Sequence, residues 1–182
     1  MPTAITPLSQ RDPRWAETKL GTTAYTVARY GCTVTSLSMA SEYFASLPAP
    51  TPAPKVPVKY VLPGVMAQTL EYTPEGFLLW GTLSKVGMKL VERVKVRDDA
   101  KIKAVLDNAK QACLLQVEGW HWVLALAIET NPPKPKTGSG SALPNPTTPS
   151  LPVYRILDPW LGDRVLSTRY KSITGHATVG LA

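Results

Sequence analysis

A glycine, a cysteine and an apolar run follow one another in Tyr30-Gly31-Cys32-Thr33-Val34-Thr35-Ser36-Leu37-Ser38-Met39-Ala40. Glycine permits a sharp turn at position 31, and the apolar residues after it recur at nearly helical spacing. We therefore predict a helix that starts at Cys32 and ends near Leu47, where a proline-rich stretch begins. A helix N-terminus favours a thiolate and offers backbone N–H donors to an oxyanion. A nucleophilic cysteine and a buried structural cysteine both fit this position.

Composition narrows the class of protein. The chain has 182 residues, of which 44% are hydrophobic, enough for one well-buried domain. No apolar run approaches the length of a membrane span, and the first residues lack the basic start and apolar core of a signal peptide. No membrane partner is therefore expected, and a protein of this kind that leaves its cell would do so without a cleavable leader. The net charge of +7 is scattered rather than gathered in a stripe with aromatic residues, so no specific nucleic-acid partner is expected either.

The two cysteines, Cys32 and Cys113, are too few for a disulfide framework. Free thiols are expected, with a bridge between the two as the alternative. Cys113 lies in a run that predicts a buried strand. No cysteine–histidine spacing resembles a zinc site, and no glycine-rich loop resembles a phosphate cradle, so neither metal nor cofactor is predicted.

The remaining pattern predicts helices first and then a sheet of sequential antiparallel strands, which is the α+β class. Residues 1–31 show no sustained period and predict an irregular lead-in. Two further helices are predicted, one that starts at Thr73-Pro74-Glu75 and stops at Gly87, and one that Asp98 and Asp99 cap. Strands are predicted over residues 88–96, 113–117, 120–129, 153–157 and 164–167.

Two segments lack the residues to pack a core. Prolines are so dense over residues 48–57 that an extended, exposed and stiff segment is predicted. Residues 131–152 are rich in proline, glycine and serine and predict a flexible loop.

The chain has two histidines, His121 and His176. His121 opens a strongly apolar strand, where a lone histidine is most often a satisfied core residue. If the strands over residues 120–129 and 153–158 form a hairpin centred between Ser139 and Gly140, however, Asp158 lies beside His121 and can orient its imidazole. Because Asp158 precedes a proline, an ordinary turn is its alternative role.

Cysteine, histidine and aspartate in this arrangement are the parts of a catalytic triad. In such a triad His121 holds Cys32 as the thiolate, and the thiolate attacks a carbonyl carbon. His121 then protonates the leaving group, and water hydrolyses the thioester.

Five motifs occur in one order along the chain: Gln10-Arg11-Asp12-Pro13-Arg14-Trp15, Leu20-Gly21, Tyr30-Gly31-Cys32 with Thr35-Ser36-Leu37, Trp120-His121-Trp122-Val123, and Ile156-Leu157-Asp158-Pro159-Trp160-Leu161-Gly162. Together they resemble the papain-like cysteine peptidases of the bacteriocin-processing, C39-like type, especially the stand-alone domains of bacteria and their phages. The resemblance extends over nearly the whole chain.

The resemblance implies a single papain-like domain over residues 1–182, in which the nucleophile helix packs on a C-terminal antiparallel sheet. It implies Cys32 as nucleophile, His121 as general base and acid, and Asp158 as the orienting residue. It also implies Gln10 as the side-chain donor of the oxyanion hole. In bacteriocin-leader peptidases this glutamine stands only a few residues before the cysteine, whereas here it stands at position 10 and the cysteine at position 32.

The expected function is therefore that of a cysteine peptidase, a hydrolase acting on a peptide or protein substrate such as a cell-wall peptide or a phage structural protein, in the cytoplasm or in a phage virion. Two alternatives stay open. The domain can be a papain-like structural or binding module, for instance of a phage particle, or the same triad can transfer an acyl group.

Overall fold

The structure is a computed structural model that describes residues 5–48, 57–130 and 151–182. Within these ranges the helices are α1 (Val27–Tyr30), α2 (Cys32–Ala45), α3 (Pro63–Thr69) and α4 (Asp99–Asp107), with 3-10 helices over Trp80–Val86 and Ser167–Arg169. The strands are β1 (Met88–Val94), β2 (Gln111–Val117), β3 (His121–Ile128), β4 (Tyr154–Asp158), β5 (Asp163–Leu166) and β6 (Ile173–Leu181). No helix among the described residues has the length and apolarity to cross a membrane.

The strands form one antiparallel sheet in the order β1-β6-β2-β3-β4-β5. The predicted α+β class with an antiparallel sheet is thereby confirmed. The predicted order, helices first and then sequential strands, is only partly right, because β1 precedes α4 and β6 returns to lie between β1 and β2. Strand β6 was not predicted, because its two glycines and two threonines weaken the apolar signal of a strand that is nevertheless almost wholly buried.

Helix α2 packs on one face of the sheet and is the most buried helix of the fold. Of its 14 residues, 11 are buried. Serine and alanine predominate among the small residues, which lets the helix approach its neighbours closely, and the serines satisfy their hydroxyl groups with hydrogen bonds. Ser41 Oγ donates to the carbonyl of Ser38 at 2.7 Å and accepts from the Val61 N–H at 3.0 Å. The helix is thus fixed on the sheet by apolar burial and on its outer side by the segment before α3.

Helix α4, which the sequence predicts as a helix, covers the other face of the sheet. Asp98 is its N-cap and accepts a hydrogen bond from the Lys101 N–H at 3.0 Å. The apolar face of α4 packs against β2 and β3, and its buried residues are Ile102, Val105 and Leu106. Strands β2 and β3 are therefore buried on both faces, as their continuous apolar runs predict.

The prediction of a helix that starts at Thr73-Pro74-Glu75 is wrong for the first half of that helix. Residues 73–77 form a turn instead, in which the Gly76 N–H donates to the Thr73 carbonyl at 2.8 Å. Gly76 has a φ of +82°, and a Cβ there would lie 2.6 Å from the Tyr25 ring, so packing against Tyr25 requires a glycine in a left-handed conformation. Helical structure begins only at Trp80, as a 3-10 helix, and its predicted stop at Gly87 is confirmed.

The predicted lead-in, residues 1–31, is irregular over residues 5–26, but Val27–Tyr30 forms the short helix α1, and residues 1–4 lie outside the described residues. Helix α3, which begins at Pro63, was not predicted from the sequence. The predicted extended segment, residues 48–57, lies outside the described residues except for Pro48 and Pro57. The predicted flexible loop, residues 131–152, likewise lies outside them except for Leu151 and Pro152.

His176, in the centre of β6, is completely buried, and neither of its ring nitrogens has a hydrogen-bond partner among the described residues. Burial lowers the pKa of His176 more than the nearby Glu92 and Asp98 raise it. The folded protein therefore keeps this imidazole neutral at a pH where the unfolded chain already binds the proton, below about 6.5.

As the pH is lowered, the free energy of unfolding falls wherever the unfolded state binds more protons than the folded state. We therefore expect the lowered pKa of His176 to destabilise the fold in mild acid. Urea unfolding from about pH 7.5 to about pH 5 measures it, since the ordinary histidine pKa of about 6.5 lies within that range. The His176→Leu variant should lose less stability over the range than the wild type. Equal losses in the two proteins would show that another group causes the acid sensitivity.

Candidate active site

Cys32 is the first residue of α2, directly after a tight junction with α1. A Cβ at Gly31 would lie 2.4 Å from the Val27 carbonyl oxygen, so only glycine fits between the two helices. The first backbone hydrogen bond of α2 runs from the Thr35 N–H to the Gly31 carbonyl at 2.9 Å. The N–H of Cys32 precedes that bond and belongs to the donors that a helix leaves free at its N-terminus.

His121 and Asp158 meet at one end of the sheet. His121 is the first residue of β3 and Asp158 the last of β4, and His121 Nε2 lies 2.9 Å from Asp158 Oδ1. Both side chains are almost fully buried. The hairpin register differs from the prediction by two residues, because the pairing of Leu124 with Leu157 continues to place Asp158 opposite Val123. Residues two apart on a strand share a face, so the two side chains still meet.

The carboxylate of Asp158 has further donors. Its Oδ1 accepts from the Trp160 N–H at 2.9 Å, its Oδ2 accepts from the Tyr170 hydroxyl, and Arg169 Nε lies 4.0 Å from Oδ2. Burial alone would raise the pKa of Asp158, but the hydrogen bonds from His121 and Tyr170 outweigh it and lower that pKa. Asp158 is therefore ionised at neutral pH. Tyr170 carried no signal in the sequence that linked it to this site.

The imidazole of His121 is held between Asp158 and Cys32. Burial alone would lower the pKa of His121, but the hydrogen bond and charge of Asp158 and the neighbouring Cys32 raise it to about 9. With Nε2 on the carboxylate, Nδ1 is the nitrogen left for the thiol, and it has no formed hydrogen bond among the described residues. At neutral pH the ring carries both protons and places a positive charge beside Cys32.

Gln10 is buried at the same site although it stands far from Cys32 in the sequence. Its backbone N–H donates to the Pro159 carbonyl at 2.8 Å, and its Nε2 donates to the Ala28 carbonyl at 2.8 Å. These bonds tie it to the end of β4 and to α1. An amide nitrogen carries two hydrogens, so one remains for a ligand in the cleft that Gln10, Cys32 and His121 share.

The cleft has a volume of about 760 Å³ and runs across the end of the sheet. Six aromatic side chains line it, those of Tyr30, Phe77, Trp80, Trp120, Trp122 and Trp160, together with the charged residues Arg29, Glu75 and Arg93. Trp120 and Phe77 are 60% and 70% exposed, large values for such side chains. Trp80 and Arg93 were not predicted to belong to the site, since both lie in elements distant from Cys32 along the chain.

The structure thus brings together Gln10, Cys32, His121 and Asp158, the four residues singled out in the sequence. It keeps His176 and Cys113 apart from them, because His176 is buried in β6 and Cys113 faces α4. Both cysteines are free thiols, as expected. Within the described ranges no group of histidine, cysteine, aspartate and glutamate residues is arranged to hold a metal ion.

No protein-family model, no curated protein and no solved structure matches the chain. The chemistry of the site therefore has to be derived from the placement of these residues.

The two cysteines should differ strongly in reactivity. Cys32 lines the cleft beside a protonated imidazole, whereas Cys113 is completely buried and burial raises its pKa. Iodoacetamide at about pH 6, where an ordinary thiol is almost fully protonated, should alkylate Cys32 and leave Cys113 unmodified in the folded protein. Peptide mapping by mass spectrometry measures both. Equal labelling, or labelling of Cys113 first, would contradict a nucleophilic role for Cys32.

Proposed function

We propose that the protein is a papain-like cysteine peptidase that hydrolyses an amide bond in a peptide or protein. The observation that carries the proposal is the buried hydrogen bond between His121 and Asp158 at the cleft that Cys32 also lines. Cysteine at a helix N-terminus, histidine at the start of one strand and aspartate at the end of the next supply nucleophile, acid–base group and orienting group.

The first step is the attack of the Cys32 thiolate on the carbonyl carbon of the substrate. The new S–C bond pushes the carbonyl electron pair onto oxygen and forms a tetrahedral oxyanion. The free N–H of Cys32 and the remaining N–H of Gln10 are the donors that stabilise this charge. His121 is protonated before the attack, in agreement with its raised pKa of about 9.

The second step breaks the C–N bond, with His121 donating its proton to the departing amine and leaving a thioester on Cys32. A water molecule then gives a proton to His121 and attacks the thioester carbonyl. Collapse of this second intermediate releases the acid and restores the Cys32 thiolate beside the imidazolium. Throughout, Asp158 holds the ring orientation through Nε2 and stabilises its positive charge.

The size of the cleft, about 760 Å³, supports a peptide segment as the substrate. A cell-wall peptide and a phage structural protein are the candidates, with the cytoplasm or a phage particle as location. The motif resemblance to bacteriocin-processing peptidases supports a peptide over another amide. Acyl transfer would use the same steps with an amine in place of the water.

A second candidate is a binding module that uses the cleft without chemistry. The exposed rings of Phe77 and Trp120 favour it, because they offer apolar surface to a partner whether or not Cys32 reacts. Against it stands the cost of burying an ionised His121–Asp158 pair, which a binding surface does not need.

The pH dependence of Cys32 alkylation separates the two candidates. Removing the imidazole in His121→Ala removes the positive charge beside the thiolate, so its alkylation profile should move to higher pH. Asp158→Asn should move it less, because the imidazole remains but loses its orientation. In a pooled fluorogenic peptide library, His121→Ala should lower hydrolysis by about 10²–10⁴-fold.

The control for this series is His176→Leu, which removes the other histidine of the chain, a buried side chain of β6 that does not line the cleft. It should leave both the alkylation profile and hydrolysis as in the wild type. If the alkylation profiles of the wild type and the three variants coincide, there is no working triad of Cys32, His121 and Asp158. The protein would then be a binding module.

Gln10→Ala should separate oxyanion stabilisation from thiol reactivity. The loss of one oxyanion donor lowers turnover by about 10²–10³-fold. Alkylation by iodoacetamide forms no oxyanion, so its rate should stay unchanged in the same variant. Gln68→Ala is the matched control, since Gln68 also donates to a backbone carbonyl, that of Lys19 at 2.8 Å, but lies outside the cleft. A parallel loss of hydrolysis and alkylation in Gln10→Ala would point to a general disturbance of the site instead.

A further inference from the structure

We infer that the cleft selects a peptide with an acidic side chain next to an apolar one, and that the guanidinium of Arg93 binds the acidic group. The inference names the substrate class of the proposed peptidase and rests on that function for the bond that is cut. The binding site itself consists of Arg93, Trp80 and Trp122, on one wall of the cleft.

Arg93 is positioned by two aromatic rings rather than by a carboxylate. Its guanidinium carbon lies 5.8 Å from the Trp80 ring centre and 5.5 Å from that of Trp122. Many basic side chains of the described residues form an ion pair with an aspartate or glutamate. They are Arg14, Lys85, Arg97, Lys101, Lys103 and Arg155. Arg93 has no such partner among the described residues, so its planar donors are available to a bound carboxylate.

The charges around the cleft favour an anionic ligand. Arg29 and Arg93 line it, and Glu75 is the carboxylate among the lining residues. A hydrogen bond from Thr73 stabilises the charge of Glu75 and lowers its pKa. An acidic side chain that enters at Arg93 therefore meets a net positive wall, within a chain whose net charge is +7.

The surroundings of Arg93 are apolar, which defines the neighbour of the acidic residue. The rings of Trp80 and Trp122 contact edge to face with their centres 5.7 Å apart. Such rings displace water from one side of the guanidinium, and the lower local dielectric strengthens a hydrogen bond to a carboxylate. Phe77 and Leu78, which line the same cleft, offer apolar surface to a leucine-sized or aromatic side chain beside it.

The strand order limits how far the acidic residue can lie from the bond that is cut. Two strands, β6 and β2, separate β1 from β3, so Arg93 is three strand spacings from the strand of His121. This is about 14 Å, and an extended peptide covers about 3.3 Å per residue. Because the Arg93 side chain extends toward β3 and reaches Trp122, the neighbour of His121, we place the acidic residue within about four residues of the scissile bond.

Peptidyl vinyl sulfones test the inference, because the Cys32 thiolate adds to their double bond and the adjacent carbon takes up a proton. A series of tetrapeptides in leucine-rich sequences would carry glutamate or the isosteric glutamine at each position in turn. At one position the wild type should react about tenfold faster with the glutamate probe, a factor equivalent to about 1.4 kcal/mol. In Arg93→Gln this preference should disappear, and in Arg93→Lys it should persist in part.

Lys89→Gln is the matched control, since Lys89 lies exposed on the same strand outside the cleft and its loss changes the net charge equally. It should keep the tenfold preference. Iodoacetamide should alkylate Cys32 at the same rate in all these proteins, which shows that the variants are folded and the thiol intact. No preference for glutamate at any position, or a preference that survives in Arg93→Gln, would overturn the inference.

Fluorescence anisotropy with the same peptides lacking the vinyl sulfone measures binding without any reaction of Cys32. If the wild type binds the glutamate peptide more tightly and Arg93→Gln does not, the binding site stands even where Cys32 proves unreactive, and only the peptidase proposal fails. If Cys32 reacts as proposed but neither assay distinguishes glutamate from glutamine, the peptidase proposal stands and the acidic specificity is wrong.

Discussion

The contact between α2 and β3 is the interaction on which the site depends. Ser36, one helical turn after Cys32, donates from Oγ to the Trp122 carbonyl at 3.1 Å, and Trp122 adjoins His121. Burial of the apolar residues of α2 supplies most of the energy of this contact, but it does not by itself select one position along the helix axis. The directional hydrogen bond does, and because each of its partners neighbours a site residue, it places Cys32 at the end of β3.

Burying polar groups at the end of the sheet is unfavourable, but the hydrogen bonds that compensate for it also fix the orientation of the His121 imidazole. Two ionised side chains, His121 and Asp158, are tolerated in the interior because they pair and because Tyr170 and the Trp160 N–H occupy further acceptor positions. Each added partner restricts the carboxylate, and the carboxylate in turn restricts the imidazole. In the neighbouring cleft wall, Trp80 and Arg93 belong to the 3-10 helix and β1, whereas Trp122, which both of them contact, lies on β3 next to His121.

Local physics explains which parts of the fold could be predicted. Helix α4 follows from a capping aspartate and apolar residues on one face, and Gly87 ends the 3-10 helix because only glycine readily adopts its left-handed conformation. The failures occur where a distant contact overrides the local signal. Gly76 turns against Tyr25 instead of entering a helix, and β6 gains its stability from pairing with β1 and β2, which supplies what its glycines lack.

For the site, the sequence by itself determined the chemical groups: a cysteine after a glycine at a helix start, a histidine at the head of an apolar strand, and an aspartate at the end of another. Their residue types and local geometry are encoded within a few positions of each. Only the tertiary structure decided that Gln10 reaches this site, that Tyr170 holds Asp158, and that Arg93 lies beside two tryptophans. These contacts join residues far apart in the chain, and packing of the whole sheet, rather than any local pattern, sets the distances between them.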